Sequence, residues 1–224
     1  SSEAVQLAGG NNNPPVTAAN YFVSPETSQA WEAGAKVDLM GGALQLSGAL
    51  FQIKRDNART PGVNPGDPAV VLDGEQRVRG FELQAVGRVT PRWNLFAGYT
   101  YLDGEVTKSN RAFEEGQRLD GTPKHSATIW TSYAVTDQLL IGGGLQHVSS
   151  RTSNIRPTAT SDFVIVTPAY TVFDAFAEYR FTERLGARVN VYNIGDKTYF
   201  YSIASGQSIP ASGRSGTLTL TLEF

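Results

Sequence analysis

The last ten residues, Ser215 to Phe224, constrain this chain more than any other segment: they read SGTLTLTLEF. Side chains alternate across an extended strand. Leu218, Leu220, Leu222 and Phe224 therefore share one face, and Thr217, Thr219, Thr221 and Glu223 share the other. The stripe ends on a bare aromatic, where chain ends usually fray into polar residues. A strand that presents one face to lipid and an aromatic to the membrane interface has a reason to end this way.

The same alternation recurs upstream and gives about nine strands. They are expected at Gln29–Leu39, Leu44–Asp56, Val78–Val89, Trp93–Asp103, Lys124–Val135, Gln138–Ser149, Tyr170–Phe181, Leu185–Tyr192 and the terminal segment. Typical is the fourth, with Trp93, Leu95, Ala97, Tyr99 and Tyr101 aligned; Trp130 in the fifth breaks the pattern. Most run longer than the usual five or six residues and match the roughly 9–11 that a tilted membrane strand needs. The connections then alternate in length. Met40–Ala43, Thr90–Arg92, Thr136–Asp137 and Thr182–Arg184 are tight. The other connections, near Asn57–Arg77, Gly104–Pro123, Ser150–Ala169 and Asn193–Gly216, are each roughly twenty residues, long by ordinary standards. In an up-and-down sheet alternate connections lie at opposite ends. One end thus carries tight turns and the other long Gly/Pro/Ser/Asn-rich loops, the asymmetry of outer-membrane barrels rather than of a Greek-key sandwich. Trp31, Trp93, Tyr101, Tyr133, Tyr170, Tyr179 and Phe224 are candidates for interfacial aromatic girdles.

Composition fits this all-β, transmembrane, antiparallel up-and-down barrel. The 224 residues carry a net charge of -2 and no basic run, which argues against nucleic acid. There is no cysteine, which excludes disulfide frameworks, thiolate metal sites and cysteine nucleophiles. The mean hydropathy of -0.24 is what a barrel gives when only every second residue meets lipid. An odd strand count cannot close a bacterial single-chain barrel, and open edges are costly in hydrocarbon. The expectation is that residues 29–224 form the carboxy-terminal part of a larger barrel, with 1–28 as the tail of an external loop.

Several segments carry a family resemblance. Ser24-Pro25-Glu26-Thr27-Ser28-Gln29-Ala30-Trp31-Glu32-Ala33-Gly34-Ala35-Lys36 resembles the PE(T/K)S…(Y/W)E.G.K segment of TonB-dependent siderophore receptors. Val78 to Leu83 resembles their RG.E.E strand, and Trp93 to Tyr101 their W.L..GY.Y strand. Pro123-Lys124-His125-Ser126 followed by Trp130 to Tyr133 is similar to P.H…W..Y, and Asn190 to Tyr199 to N..N(L/I).DK.Y. The ordered set spans nearly the whole chain and is closest to ferric-catecholate receptors, with ferrichrome-type receptors next. The resemblance implies a bacterial outer-membrane, multi-pass receptor of 22 strands, these being about the last nine. It implies an amino-terminal plug, the remaining strands, TonB, outer-membrane lipid and lipopolysaccharide as partners. A ferric siderophore is the expected ligand, with iron only as part of that cargo and no resident cofactor. In this family Leu218, Leu220, Leu222 and Phe224 correspond to the signal read by the barrel-assembly machinery.

Ferric siderophores are often anionic and aromatic, and cationic and aromatic side chains bind such ligands through charge-assisted hydrogen bonds and cation–π contacts. The candidates in the long loops are Arg59, Arg111, Arg118, Arg151, Arg156, Tyr199, Phe200 and Tyr201. Solvated arginines, or arginines paired with Glu114, Glu115 or Asp120, are the structural alternative. His125 and His147, on different strands, are more readily ordinary hydrogen-bonded histidines than a metal pair, and no catalytic residue is expected. Gly142-Gly143-Gly144 inside a strand suits close backbone packing rather than phosphate binding. The rival functions are uptake of a non-iron substrate, an outer-membrane barrel enzyme and a soluble β-sandwich binding module.

Overall fold

Period-two patterning makes strands only when each strand finds a partner in register. A computed structural model shows that partnering for residues 25–63, 70–153, 164–204 and 207–224. The strands in chain order are β1 Thr27–Leu39, β2 Leu44–Pro61, β3 Val70–Thr90, β4 Trp93–Lys108, β5 His125–Ala134, β6 Leu139–Val148, β7 Arg151–Thr152, β8 Val166–Thr167, β9 Tyr170–Arg180, β10 Leu185–Tyr192, β11 Phe200–Ala204, β12 Gln207–Pro210 and β13 Ser215–Leu222. Nine of them form one antiparallel sheet in the order β1-β2-β3-β4-β5-β6-β9-β10-β13. The sheet is open among the described residues, with β1 and β13 at its edges. The short pairs β7–β8 and β11–β12 are hairpins within two of the long connections. Their sequences lack an extended alternating run and gave no strand signal.

The register puts every apolar stripe on one face. Trp93, Ala97 and Tyr99 pair with Tyr133, Ile129 and Ala127. Ile129 and Tyr133 pair in turn with Leu145 and Ile141. The row continues through Phe173 and Ala177 to Val189 and Leu218. Leu50, Leu83, Ile129, Ile141, Phe173, Val189, Leu218, Leu220 and Leu222 all keep at least 39% of their surface exposed on this face. Water does not tolerate a continuous apolar surface of this extent on a monomer; hydrocarbon does. Trp130 lies on the opposite, polar face between Thr128 and Ser132. Its ring stacks on Phe176 at 5.9 Å and 7°, and the Arg188 guanidinium carbon sits 3.9 Å from the Phe176 centroid. Gly144 and Gly142 stand where a Cβ would collide with the Trp130 and Phe176 rings, so the glycine run exists to let the rings lie flat.

Tight turns close one end. Three share a device absent from the strand pattern: a threonine hydroxyl accepts backbone N–H groups just after it. Thr90 Oγ1 takes Arg92 N–H, Thr136 Oγ1 takes Gln138 and Leu139 N–H, and Thr182 Oγ1 takes Arg184 and Leu185 N–H. Such turns compete with strand continuation and reverse the chain.

The opposite end corrects one expectation. The connection expected over Asn57–Arg77 is largely strand: β2 runs on to Pro61 and β3 begins at Val70, through a bulge beside Asn57, whose φ is 56°. The apolar face changes chemistry there. Above Leu50, Phe81 and Tyr101 the same face carries Lys54, Arg77, Arg79, Asp103 and Glu105. Three pairs cross between strands, Lys54 with Glu75 at 3.1 Å, Arg79 with Asp103 at 3.0 Å, and Arg77 with Glu105, while Lys54 also meets Asp56 of its own strand at 2.8 Å. Lys54, Asp56, Arg79 and Asp103 close the strands expected from the sequence, whereas Glu75, Arg77 and Glu105 fall in the expected loops; cross-strand pairs carry the ladder on through them. Beyond the switch the other face becomes the buried one, with Ala58 and Val106 at 1% and 4% exposed. The connection after β4 is bolted on there, since Ser109 Oγ donates to buried Glu114 at 2.6 Å and shares a hydrogen bond with Thr60 at 2.9 Å. The aromatics Phe81, Tyr99 and Tyr101 cluster just below the switch with centroids 5.6–5.7 Å apart. On β4 the apolar run from Trp93 to Tyr101 is nine residues, which at about 3.3 Å per residue and a tilt near 45° spans about 20 Å.

Face assignment yields a direct test. Arginine placed at Val189, on the apolar face, is expected to lower unfolding stability in lipid vesicles by about 2–4 kcal/mol. Arginine at Thr221, on the polar face opposite Gly186, is expected to change it by less than about 0.5 kcal/mol. Denaturant titration of the two variants checks this, and equal costs would overturn the assignment.

Candidate ligand-binding site at the loop end

The exit of β10 builds the site. Asn193 is 4% exposed and takes a left-handed φ of 48°, a conformation asparagine tolerates better than most residues. Its N–H donates to Asp174 Oδ1 on β9 at 2.7 Å. Its side-chain Nδ2 donates to the carbonyls of Lys197 at 2.9 Å and Ser212 at 3.2 Å, and Oδ1 accepts Lys197 N–H at 2.9 Å. Asp196 adds a second tie by accepting Arg214 N–H at 2.9 Å. The loop is thereby sewn to the entry of β13 and released two residues before Tyr199.

Tyr199 then lands on Tyr170, with ring centroids 4.4 Å apart, and meets Tyr201 edge-on at 5.7 Å. Tyr170 is 6% exposed, whereas Tyr201 keeps 51% of its surface open. Burial first, and then the hydrogen bond with Tyr201, push the Tyr199 hydroxyl up to about 12. Tyr170 is not a girdle residue. Thr171 faces the apolar side opposite His147, so Tyr170 faces the polar side with Asp174. The alternation Thr171-Phe173-Ala175 already carried that information.

Neighbouring loops are tied to this cluster through backbone atoms. The Arg151 guanidinium donates to the carbonyl of Tyr201. Thr167 Oγ1 accepts Ile203 N–H at 3.0 Å. Gly121 N–H donates to the Thr152 carbonyl at 2.9 Å, joining a third connection. The structure therefore brings together Arg151, Tyr199 and Tyr201, next to Phe200 on the same short strand, and adds Tyr170, Thr167 and Asn193 to them. Phenol rings beside a guanidinium can receive a flat, anionic aromatic group by stacking and cation–π attraction.

The other candidates lie elsewhere. Arg59 is in strand β2 opposite Leu72, not in a loop. Arg111 reaches Glu114 at 3.8 Å, the structural alternative weighed for it. Arg118 bridges Glu105 through the backbone and donates to the Thr122 carbonyl at 3.1 Å. Arg156 is outside the described residues. His125 Nδ1 bonds the Tyr99 hydroxyl at 2.7 Å and His147 Nδ1 the Thr171 hydroxyl at 2.8 Å. Among the described residues no group of three His, Cys, Asp or Glu residues is arranged to hold a metal ion. Glu178 pairs with Arg188 at 3.3 Å on the polar face.

Comparison with known proteins bears on the whole sheet. The family described as TonB dependent receptor-like, beta-barrel matches residues 3–194. The probable TonB-dependent siderophore receptor PiuA of Acinetobacter baumannii is 34% identical over 96% of this chain, which spans 29% of that relative's length. The metal-pseudopaline receptor CntO of Pseudomonas aeruginosa is 33% identical over 89% of the chain and 28% of its own length. Among solved structures, the ferric-catecholate import receptor Fiu of K12 E. coli in its closed form superposes with a TM-score of 0.80 at 28% identity, covering 98% of this chain and 31% of that one.

The Tyr199 environment predicts a pH dependence. Its raised value means that the neutral phenol is favoured by folding, so that contribution is whole below about 10 and is lost as pH rises from there towards about 12. A tyrosinate titration of the native protein against Tyr199→Phe should show the missing transition near pH 12. A missing transition at the ordinary tyrosine value would contradict the packed geometry.

Proposed function

This chain belongs to the TonB-dependent receptor β-barrel family, and on that premise we propose that it supplies wall and external loops to an outer-membrane receptor that imports a ferric siderophore. The apolar face meets lipid, the polar face lines the lumen, and the loop end faces outward. One observation carries the choice of ligand: Tyr199 and Tyr201 stand beside Tyr170 and Arg151 at the loop end, where a cargo would first be met. A ferric catecholate has the flat aromatic rings and negative charge that such a cluster takes up. The iron is cargo; the protein's part is to hold its organic shell.

On this proposal further strands complete the wall at the β1 and β13 edges, a plug domain of the same receptor occupies the lumen, and TonB supplies the energy for release. Lipopolysaccharide is the outer-leaflet partner. The charged row of Lys54, Arg77 and Arg79 stands just beyond the aromatics Phe81 and Tyr101, at the height of its phosphates. The similarity to CntO supports a second reading, in which the cargo is a different metal chelate. The named relatives are receptors, which favours a receptor over a barrel enzyme.

The test is uptake by iron-limited cells that depend on this receptor, supplied with a ferric catecholate. Arg151→Glu is expected to weaken uptake at low ligand concentration by about tenfold or more, the worth of one charge-assisted hydrogen bond. Arg92→Glu, at a tight turn of the opposite end, should leave it unchanged. No uptake of any ferric catecholate by the native receptor, with uptake of another metal chelate, would move the function to the second reading.

A further inference from the structure

We infer that Asn193 is the positioning residue of the ligand site: it does not contact the cargo, but its side-chain hydrogen bonds decide where Tyr199 and Tyr201 stand. The inference rests on the ligand site proposed above. The loop after β10 is held to β9 at two points on one face. Asp174 receives the Asn193 N–H at 2.7 Å, and Tyr170 receives the Tyr199 ring at 4.4 Å. These anchors are four residues apart on β9, about 13 Å at strand rise. Between them the path of the chain is set by the Asn193 carboxamide, which holds Lys197 through both its N–H and its carbonyl and reaches Ser212 at 3.2 Å. Ser212 lies just before β13, so the carboxamide carries the junction of β10 and β13, whose pairing ends at Tyr192 and Ser215, on into the loop and fastens Lys197 to it.

The demands on this position are specific. A left-handed backbone alone is met best by glycine, but glycine supplies neither donor nor acceptor. Aspartate keeps the acceptor for Lys197 N–H. It turns the two donations to the Lys197 and Ser212 carbonyls into oxygen–oxygen contacts, which in a residue 4% exposed leaves acceptors unsatisfied. Only asparagine meets the φ of 48° and all three side-chain bonds at this length. The consequence falls on Tyr199, six residues along: the other ties of this stretch, Ile194 N–H to the Phe173 carbonyl and Arg214 N–H to Asp196, hold residues before Lys197, and only the Asn193 carboxamide holds Lys197 itself among the described residues.

The experiment uses the receptor as its host assembles it, with Asn193→Gly and Asn193→Asp. The probe is the ferric complex of 2,3-dihydroxybenzoate. Both variants should bind it about tenfold or more weakly, while the saturated uptake rate and the heat-modifiable migration of the folded barrel stay native. Two readouts need no ligand: trypsin should cut after Lys197 on intact cells carrying either variant but spare the native receptor, and the Tyr199 phenol should return to the ordinary tyrosine range. Asn193→Gly with native affinity, a protected Lys197 or an unmoved Tyr199 transition would overturn the inference, since backbone geometry alone would then suffice. If the native receptor ignores the ferric catecholate, the ligand proposal fails. The trypsin and Tyr199 readouts then decide the role of Asn193 by themselves.

Discussion

Everything in this structure depends on the interstrand hydrogen-bond ladder. A backbone N–H or C=O left unpaired in hydrocarbon costs several kcal/mol, so a chain that crosses lipid as strands must hand each of these groups to a neighbour. That requirement explains why the antiparallel registers run without a shift through the apolar span, and why bulges and irregular backbone are restricted to the two ends. It also makes side-chain polarity a free variable within the sheet. Once the ladder is complete, each face can follow the medium it meets, and alternation records two media at once.

The polarity switch between Tyr101 and Asp103 shows how sharply the medium changes. On β4, residues of one face pass from Trp93, Leu95, Ala97, Tyr99 and Tyr101 to Asp103 and Glu105 with no change in backbone. The ion pairs that take over are only half-buried, and pairs within reach of water contribute little stability individually. Their value is positional. Cross-strand partners such as Arg79 and Asp103 keep β3 and β4 in register beyond the membrane, where no lipid enforces the apolar stripe. The paired extension then gives the connection holding Ser109 and Glu114 a rigid wall to pack on, with Thr60 inside it.

Most of this wall was legible in the sequence, because period-two alternation and strand registry are two forms of one constraint. Strand ends at the tight turns were placed within a residue or two, and a threonine before each of three turns was an available signal that went unused. The end of β2 beyond Asp56 and the start of β3 before Val78 were not legible, since Asn57, Asp73, Glu75 and Arg77 look like loop until their cross-strand partners are known. The face of Trp130 was undecidable for a similar reason: the space for its ring is made by Gly144 on the next strand, a long-range fact. At the site, the composition of the loops nominated Arg151, Tyr199, Phe200 and Tyr201, but equally Arg59, Arg111 and Arg118. Residue type alone cannot separate an arginine that is satisfied by its own loop, as Arg118 is by Thr122, from one that stands beside open aromatic rings.

The contrast between wall and rim explains how the site is ordered. A rim loop has at most a short two-stranded ladder of its own that does not join the main sheet, so its placement on the wall comes from side chains that bond to backbone. Asn193, Asp174, Thr167 and Arg151 each do so, and each binds a segment distant in sequence. Ordering a loop only when ligand arrives would subtract the lost conformational entropy from the affinity. Bonds already made in the free protein remove that subtraction. Because three of the ties converge on the stretch from Asn193 to Ile203, the aromatic cluster inherits the rigidity of β9 although it lies in the longest connection of the chain. On the proposed function, the wall serves recognition by lending fixed points, Asp174 and Tyr170, to this loop.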